Sequence, residues 1–293
     1  MKKSILLAGM ACTLSADPGV KGPSLGYVSS GAAIRNVLGI TGASQLSNPV
    51  IRNVQQAVVL PGTSVSVAVS VSGALIRIDL TDGSTTDLGV SDVSTITASP
   101  GGEKILATAG DRAHIFSKTG ARIADLTIPR SPALVAVADH GSSVALTVAE
   151  SEGEALYIVN EHGPRRMLYA SRLPALAFLP DSTDVVVSDE AGNISRLDGD
   201  LQFRHVATAP GARALAVTPD HSRLLIVAGQ TVRAVRLATG EETSVKCSCT
   251  AVMARPMGGS NFLLTRIEDG PIWLVDASTD ELRVAFIPEA ANE

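Results

Sequence analysis

The sequence predicts an all-β fold, a β-propeller of four-stranded antiparallel blades, seven in number with the first one incomplete. Three observations predict it. A short phrase, two apolar runs hinged on a Pro-Asp or Gly-containing turn, recurs as "TASPGGEKILATAG", "VAVADHGSSVALTVAE", "AFLPDSTDVVVSD" and "ALAVTPDHSRLLIVAG". Its turn positions, Pro61, Pro100, Ala138, Pro180, Pro219 and Pro256, are spaced by about 37 to 42 residues, a period of propellers and solenoids. The apolar runs are only about five to seven residues long and rich in Val and Ile, which suits strands rather than helices. Nothing between them offers the helical-period stretch that a parallel βαβ crossover needs, and turns every 8 to 12 residues also exclude helical repeats.

Taken along the chain, the first residues read as an address. "MKKSILLAGMACTLSAD" has Lys2 and Lys3, an apolar stretch from Ile5 to about Leu14, and small residues at Ser15-Ala16. The stretch is shorter than the roughly 20 residues that span a bilayer, so residues 1–16 read as a secretory signal cut after Ala16. Lipid attachment at Cys12 is disfavoured because the preceding "AGMA" lacks the usual leading Leu. The mature chain, 17–293, is then a single propeller domain, exported to the periplasm or outside the cell, with no membrane-spanning segment.

Next, "SLGYVSSGAAIRNVLGI" (Ser24–Ile40) resembles "PIWLVDASTDELRVAFIP" near the C-terminus, and so reads as the third and fourth strands of an abbreviated first blade. Six complete units follow, starting near Gln56, Ser94, Pro132, Leu173, Ala212 and Ala251. A pitch of about 39 residues gives roughly seven units from residue 17 onward. The alternative is a six-bladed ring with the N-terminal hairpin packed outside it. In the fifth complete unit the four strands are expected at Arg213–Thr218, Arg223–Ala228, Val232–Leu237 and Glu242–Lys246. The third and fourth join at "ATGE", where Gly240 supplies a positive φ. Equivalent joins are "LTDGS", "SKTGA", "EHGP" and "DASTDE". Each blade would carry an apolar face on both sides, and closing the ring covers every face.

The phrase "TPDHSRLLIVAG" followed by "VRAVRLATGEETSV" resembles the repeat of bacterial YVTN-type propellers, relatives of the WD40-like and quinoprotein-like propellers. Their unit runs Ser-Pro-Asp-Gly, an apolar strand, then a strand ending in Asp-x-x-Thr-Gly. Here Gly is missing from "PDST" and "PDHS", and the Trp-Asp ending of WD40 blades is absent. "GYVSSGAAIRNVLGITGAS" also resembles the start of secreted bacterial proteins of this shape, a subgroup of uncharacterised function. The resemblance implies fold and export, and no particular activity.

Composition narrows function by exclusion. Lys and Arg (24) fall short of Asp and Glu (29), so a basic footprint for nucleic acid is missing. Aromatic residues make up 3%, which weakens sugar or base stacking. The histidines, His114, His140, His162, His205 and His221, are scattered without metal-ligand spacing, and three of them fall in expected turns. There is no Gly-x-Ser-x-Gly elbow, and "SPGGEK" and "PMGGSN" lie between antiparallel strands rather than before a helix. "SDEAGNISRLDGD" lacks the spacing of a calcium loop. No catalytic residue, cofactor or metal site is assigned. The reading is a monomeric, non-enzymatic binding or scaffolding module for a partner protein or a small anionic ligand. The alternatives are a lactonase-like hydrolase with a site at one channel mouth, and a subunit of a cell-envelope complex.

Two groups of residues are singled out. Cys247 and Cys249 end the fifth complete unit, and export favours their oxidation. On a strand their Cα atoms would lie roughly 6–7 Å apart, near the limit for a bridge, so a strained disulfide, buried thiols and a metal or redox role all stay open. Arg130, Arg172 and Arg213 lie on the loops leading into inner strands, at or near matching positions before the turn. They are candidates for an anion-binding arc at the channel mouth, because each guanidinium offers a planar donor fork. Loops on the same face carry Asp111, Glu150, Glu152, Glu154, Asp189, Glu190, Glu268 and Asp269, and the plainer expectation is that these acids pair with the arginines.

Overall fold

The computed structural model describes residues 23–30, 32–129, 132–265 and 271–289. The signal reading, Cys12, Arg130, Glu268 and Asp269 therefore lie outside the described residues. All regular structure is β, in seven sheets. The first has three strands, β1 (Ser24–Ser30), β2 (Ala33–Ile40) and β3 (Ala43–Arg52). Six four-stranded sheets follow in strict chain order. The second sheet is β4 (Val54–Val59), β5 (Val65–Ser70), β6 (Leu75–Asp79) and β7 (Thr85–Asp87). The third is β8 (Thr95–Ala98), β9 (Lys104–Ala109), β10 (Arg112–Ser117) and β11 (Arg122–Thr127). In the fourth are β12 (Leu134–Val137), β13 (Val144–Glu150), β14 (Gly153–Asn160) and β15 (Gly163–Ala170). The fifth comprises β16 (Ala175–Phe178), β17 (Val185–Ser188), β18 (Asn193–Leu197) and β19 (Phe203–Thr208). The sixth comprises β20 (Ala212–Val217), β21 (Arg223–Ala228), β22 (Thr231–Arg236) and β23 (Glu242–Lys246). The seventh is β24 (Arg255–Gly258), β25 (Asn261–Leu263), β26 (Ile272–Asp276) and β27 (Arg283–Ile287).

Strand alternation builds the ring. In β21, Leu225 and Val227 point into the cluster shared with the seventh sheet, while Leu224 and Ile226 point into the cluster shared with the fifth. In β9, Leu106 faces the fourth sheet, whereas Ile105 and Ala107 face the second. Seven such apolar clusters join consecutive sheets in turn. The last, Val28, Val37 and Leu46 against Met257, Leu263, Leu274 and Ile287, joins the seventh sheet to the first and closes the circle. The protein is a seven-bladed β-propeller.

The turn between first and second strands repeats its hydrogen bond. The amides of Leu60, Ser99, Ala138, Leu179 and Thr218 each donate to the carbonyl five residues on. Positive φ is supplied by Gly62, Gly102 and Gly141 in three of these turns, and by Asp181 (φ 42°) and His221 (φ 59°) where the sequence pattern lacks Gly. Asp and His tolerate this region better than branched residues do. Pro256 departs from the expectation: it pairs with Phe262 inside β24, and the turn lies beyond it at Gly259-Ser260.

The first blade is incomplete as expected, but its phase needs correction. Ser24–Ile40 supplies the two inner strands of the three, not a third and fourth, and Ala43–Arg52 is the outer one. The start of β1 lies at the end of β24, where a side chain at Gly26 would touch the Met257 carbonyl. Its far end lies at the start of β4, where the Val54 amide donates to Ala32. So β1 stands beside the inner strands β4 and β24 but runs opposite to them. No strand from the N-terminal sheet completes the seventh; backbone bonds from Leu46 to Pro288 and from Gly62 to Met257 tie the seam.

Candidate binding site at the central channel

Inner strands of the second to seventh blades surround a cavity of about 310 Å³. Its wall is made by small and apolar side chains, including Val58, Ala98, Leu134, Ala136, Leu176, Ala177, Ala214 and Met253. Two arginines, Arg213 and Arg255, also line it, and among the described residues no Asp, Glu or His does. The Arg255 guanidinium reaches across the seam and donates to the Ser29 hydroxyl at 3.3 Å.

Arg213 owes its position to a β-bulge. Ala212 pairs with Ala228 and Ala214 with Val227, which leaves Arg213 opposite no residue. A bulge re-aims the extra side chain, and here that residue is exposed at the rim of the cavity. Sequence spacing had placed Arg213 on this face, but a bulge cannot be read from spacing.

Four of the acids of that face, Glu150, Glu154, Asp189 and Glu190, are committed elsewhere. Glu154 accepts the Leu173 amide at 2.7 Å, and Glu190 accepts the Ser171 hydroxyl at 2.6 Å. Asp189 accepts from the Asn193 amide and side chain, and Glu150 takes Tyr157 and Arg166. Arg172 thus sits exposed between Ser171 and Leu173, both held by acids, without an ion pair among the described residues. The second-to-third-strand turn of the sixth blade, next to Arg213, carries Gln230 where "AGDRA", "SEGEA" and "SDEAG" carry acids. Arg213 likewise has no acidic partner among the described residues. The structure brings Arg213 to the channel wall and keeps Arg172 on the same face outside it; Arg130 lies outside the described residues.

Cys247 and Cys249 form a disulfide with Cα atoms 5.0 Å apart. The expected strand geometry does not apply, because β23 ends at Lys246 and the pair occupies the bend beyond it. Leaving the extended conformation shortens the Cα separation enough for the bridge. Both cysteines are buried in the cluster between the sixth and seventh blades.

The opposite face holds a group that sequence reasoning missed. Asp139, 3% exposed, takes the turn position filled by Pro in four other blades. Its carboxylate accepts the Gly101 amide of the preceding blade at 3.0 Å and the Asp181 amide of the following blade at 3.1 Å. Lys104, also buried, donates to the Gly141 carbonyl. Burial pushes the Lys104 ammonium below the usual lysine range, and the Asp139 charge opposes that shift. The one available signal was the Pro-to-Asp exchange in "VADHG". The hydroxyl of Thr218, then Ser222, similarly holds Asp220 in the sixth-blade turn down to about 2.

No protein-family model and no curated protein matches the chain. Solved structures do. A functionally unknown protein from Desulfotomaculum acetoxidans superposes with TM-score 0.61 at 13% identity, over 90% of this chain and 99% of that one. The Cps50 (Swd1) β-propeller domain of Myceliophteria thermophila gives TM-score 0.59 at 12% identity, over 83% and 89%. Hsv2 of Kluyvelomyces marxianus gives 0.56 at 13%, over 90% and 96%. At such identities the likeness concerns the fold alone, that of a WD40-like β-propeller.

Proposed function

We propose that the chain is a non-enzymatic, monomeric binding propeller, exported by its N-terminal signal and akin to the YVTN-type repeat proteins. It recognises an anionic group with Arg130, Arg172 and Arg213 at the channel mouth. The observation that carries this reading is Arg213: a bulge turns it out at the rim of the cavity, beside a turn with Gln230 where the third, fourth and fifth blades carry acids. The planar donor fork of a guanidinium suits charge-assisted, bidentate bonds to a carboxylate or phosphate. The hydrolase alternative draws less support, since general acid–base chemistry needs a titratable group at the site and the cavity wall offers only arginines.

Calorimetric screening of acetate, citrate, phosphate and sulfate tests this against wild type and an Arg130/Arg172/Arg213→Ala triple variant of unchanged melting temperature. Wild type should bind at least one of these anions, and the triple variant should lose it by at least tenfold. Equal binding by the two proteins, or binding by neither, overturns the reading.

A further inference from the structure

The channel also says what the rest of the ligand is. We infer that it takes a small aliphatic monocarboxylate, head at Arg213 and apolar body along the inner strands; this deepens the anion reading above and rests on it.

Size comes first. A cavity of about 310 Å³ lies at the lower end of small-molecule sites, which run from about 300 to 1,000 Å³. It therefore suits a compact molecule rather than a folded partner. Chemistry comes second. Below Arg213 the wall includes Ala214, Leu134, Ala136, Leu176, Ala177 and Ala98, and among the described residues it has no side-chain carboxylate or imidazole. Leu134 lines the cavity and packs into none of the clusters between blades, so its side chain is available to a ligand. Length comes third. Arg213 lies five residues before the turn residue Thr218, and Thr97 lies two before the equivalent Ser99. At about 3.3 Å per residue, the wall below the guanidinium runs for roughly 10 Å. Arg255 also lines the wall, but its guanidinium is turned across the seam to the Ser29 hydroxyl, so Arg213 at the end of an apolar wall matches a ligand with one charge at the end of an aliphatic chain.

The probes are acetate, butanoate, hexanoate and octanoate, with 1-octanol and inorganic phosphate as controls, titrated calorimetrically into the disulfide-intact protein. Affinity should rise along the acid series by up to about fourfold per methylene, the equivalent of ~0.8 kcal/mol. Octanoate should exceed both 1-octanol and phosphate by at least tenfold. Arg213→Gln should lower octanoate affinity at least tenfold. Leu134→Trp, which fills the shaft, should lower it similarly, and Thr97→Phe serves where Leu134→Trp does not fold. If octanoate binds no better than acetate while phosphate binds, the anion reading stands and the aliphatic inference is overturned. If 1-octanol binds as well as octanoate and Arg213→Gln changes nothing, the carboxylate is not recognised and the inference fails. If no anion binds at all, both fall together.

Discussion

At the scale of single residues, Asp139 shows how one exchange converts a turn into a tie between blades. Pro at this position fixes a turn and contributes no donor. Asp keeps the turn and adds two acceptor oxygens, which join the turns of three consecutive blades through Gly101 and Asp181. Hydrogen bonds to a charged group are worth about 1.5–3 kcal/mol each, and the Asp139 carboxylate makes such bonds to two blades. Asp139→Ala should therefore cost about 3 kcal/mol or more in urea unfolding. Asp139→Pro separates the causes: it restores the turn chemistry of the sister blades but removes the carboxylate. It should lose nearly as much as Asp139→Ala, and wild-type stability in Asp139→Pro would show that the carboxylate ties nothing.

At the scale of elements, turns of the same class carry different constraints. Gly192 and Gly229 both sit between second and third strands at positive φ, 85° and 62°. A Cβ at Gly192 would come within 2.5 Å of the Ala209 and Pro210 backbone, whereas at Gly229 it would meet open space. Gly229→Ala should cost only the left-handed penalty of about 1 kcal/mol, and Gly192→Ala should cost more, about 2–4 kcal/mol, because backbone must move. Chemical denaturation of the two variants checks the difference; equal losses would contradict it. Element boundaries were the most legible part of the sequence. The expected strands of the sixth blade agree with β20 to β23 to within one residue at every end. Their alternation and glycine joins are local signals, and local signals survive folding. The phase of the first blade was not legible for the same reason. A hairpin such as Ser24–Ile40 looks alike whichever two strands of a blade it supplies. Its role is set by β3 and by Asn53, which joins β3 to β4 in a single positive-φ step. The face that carries Arg172 and Arg213 followed from strand direction alone. The bulge at Arg213, the bend holding Cys247 and Cys249, and the buried partners of Asp139 are tertiary facts without a local pattern.

At the scale of the whole molecule, closure depends on packing rather than on strand exchange. All four strands of the seventh sheet come from the C-terminal end of the described chain. The seam is held by the cluster around Val37, Leu46 and Ile287 and by a few bonds across it. The export proposal is tested on the same scale, and an oxidising compartment would preserve the Cys247–Cys249 disulfide. Intact-mass measurement of protein recovered from its native host should give a chain starting near Asp17. A soluble cytoplasmic product retaining residues 1–16 would contradict the signal reading.

The account turns on the channel as the place of binding, and crystallography with an anomalous label tests that claim most directly. Crystals grown with an ω-bromo aliphatic acid should show one bromine peak inside the ring of inner strands, near Thr97 and Ala98, with the carboxylate against Arg213. A fully occupied peak outside the ring, or a channel holding only water at saturating acid, would contradict it.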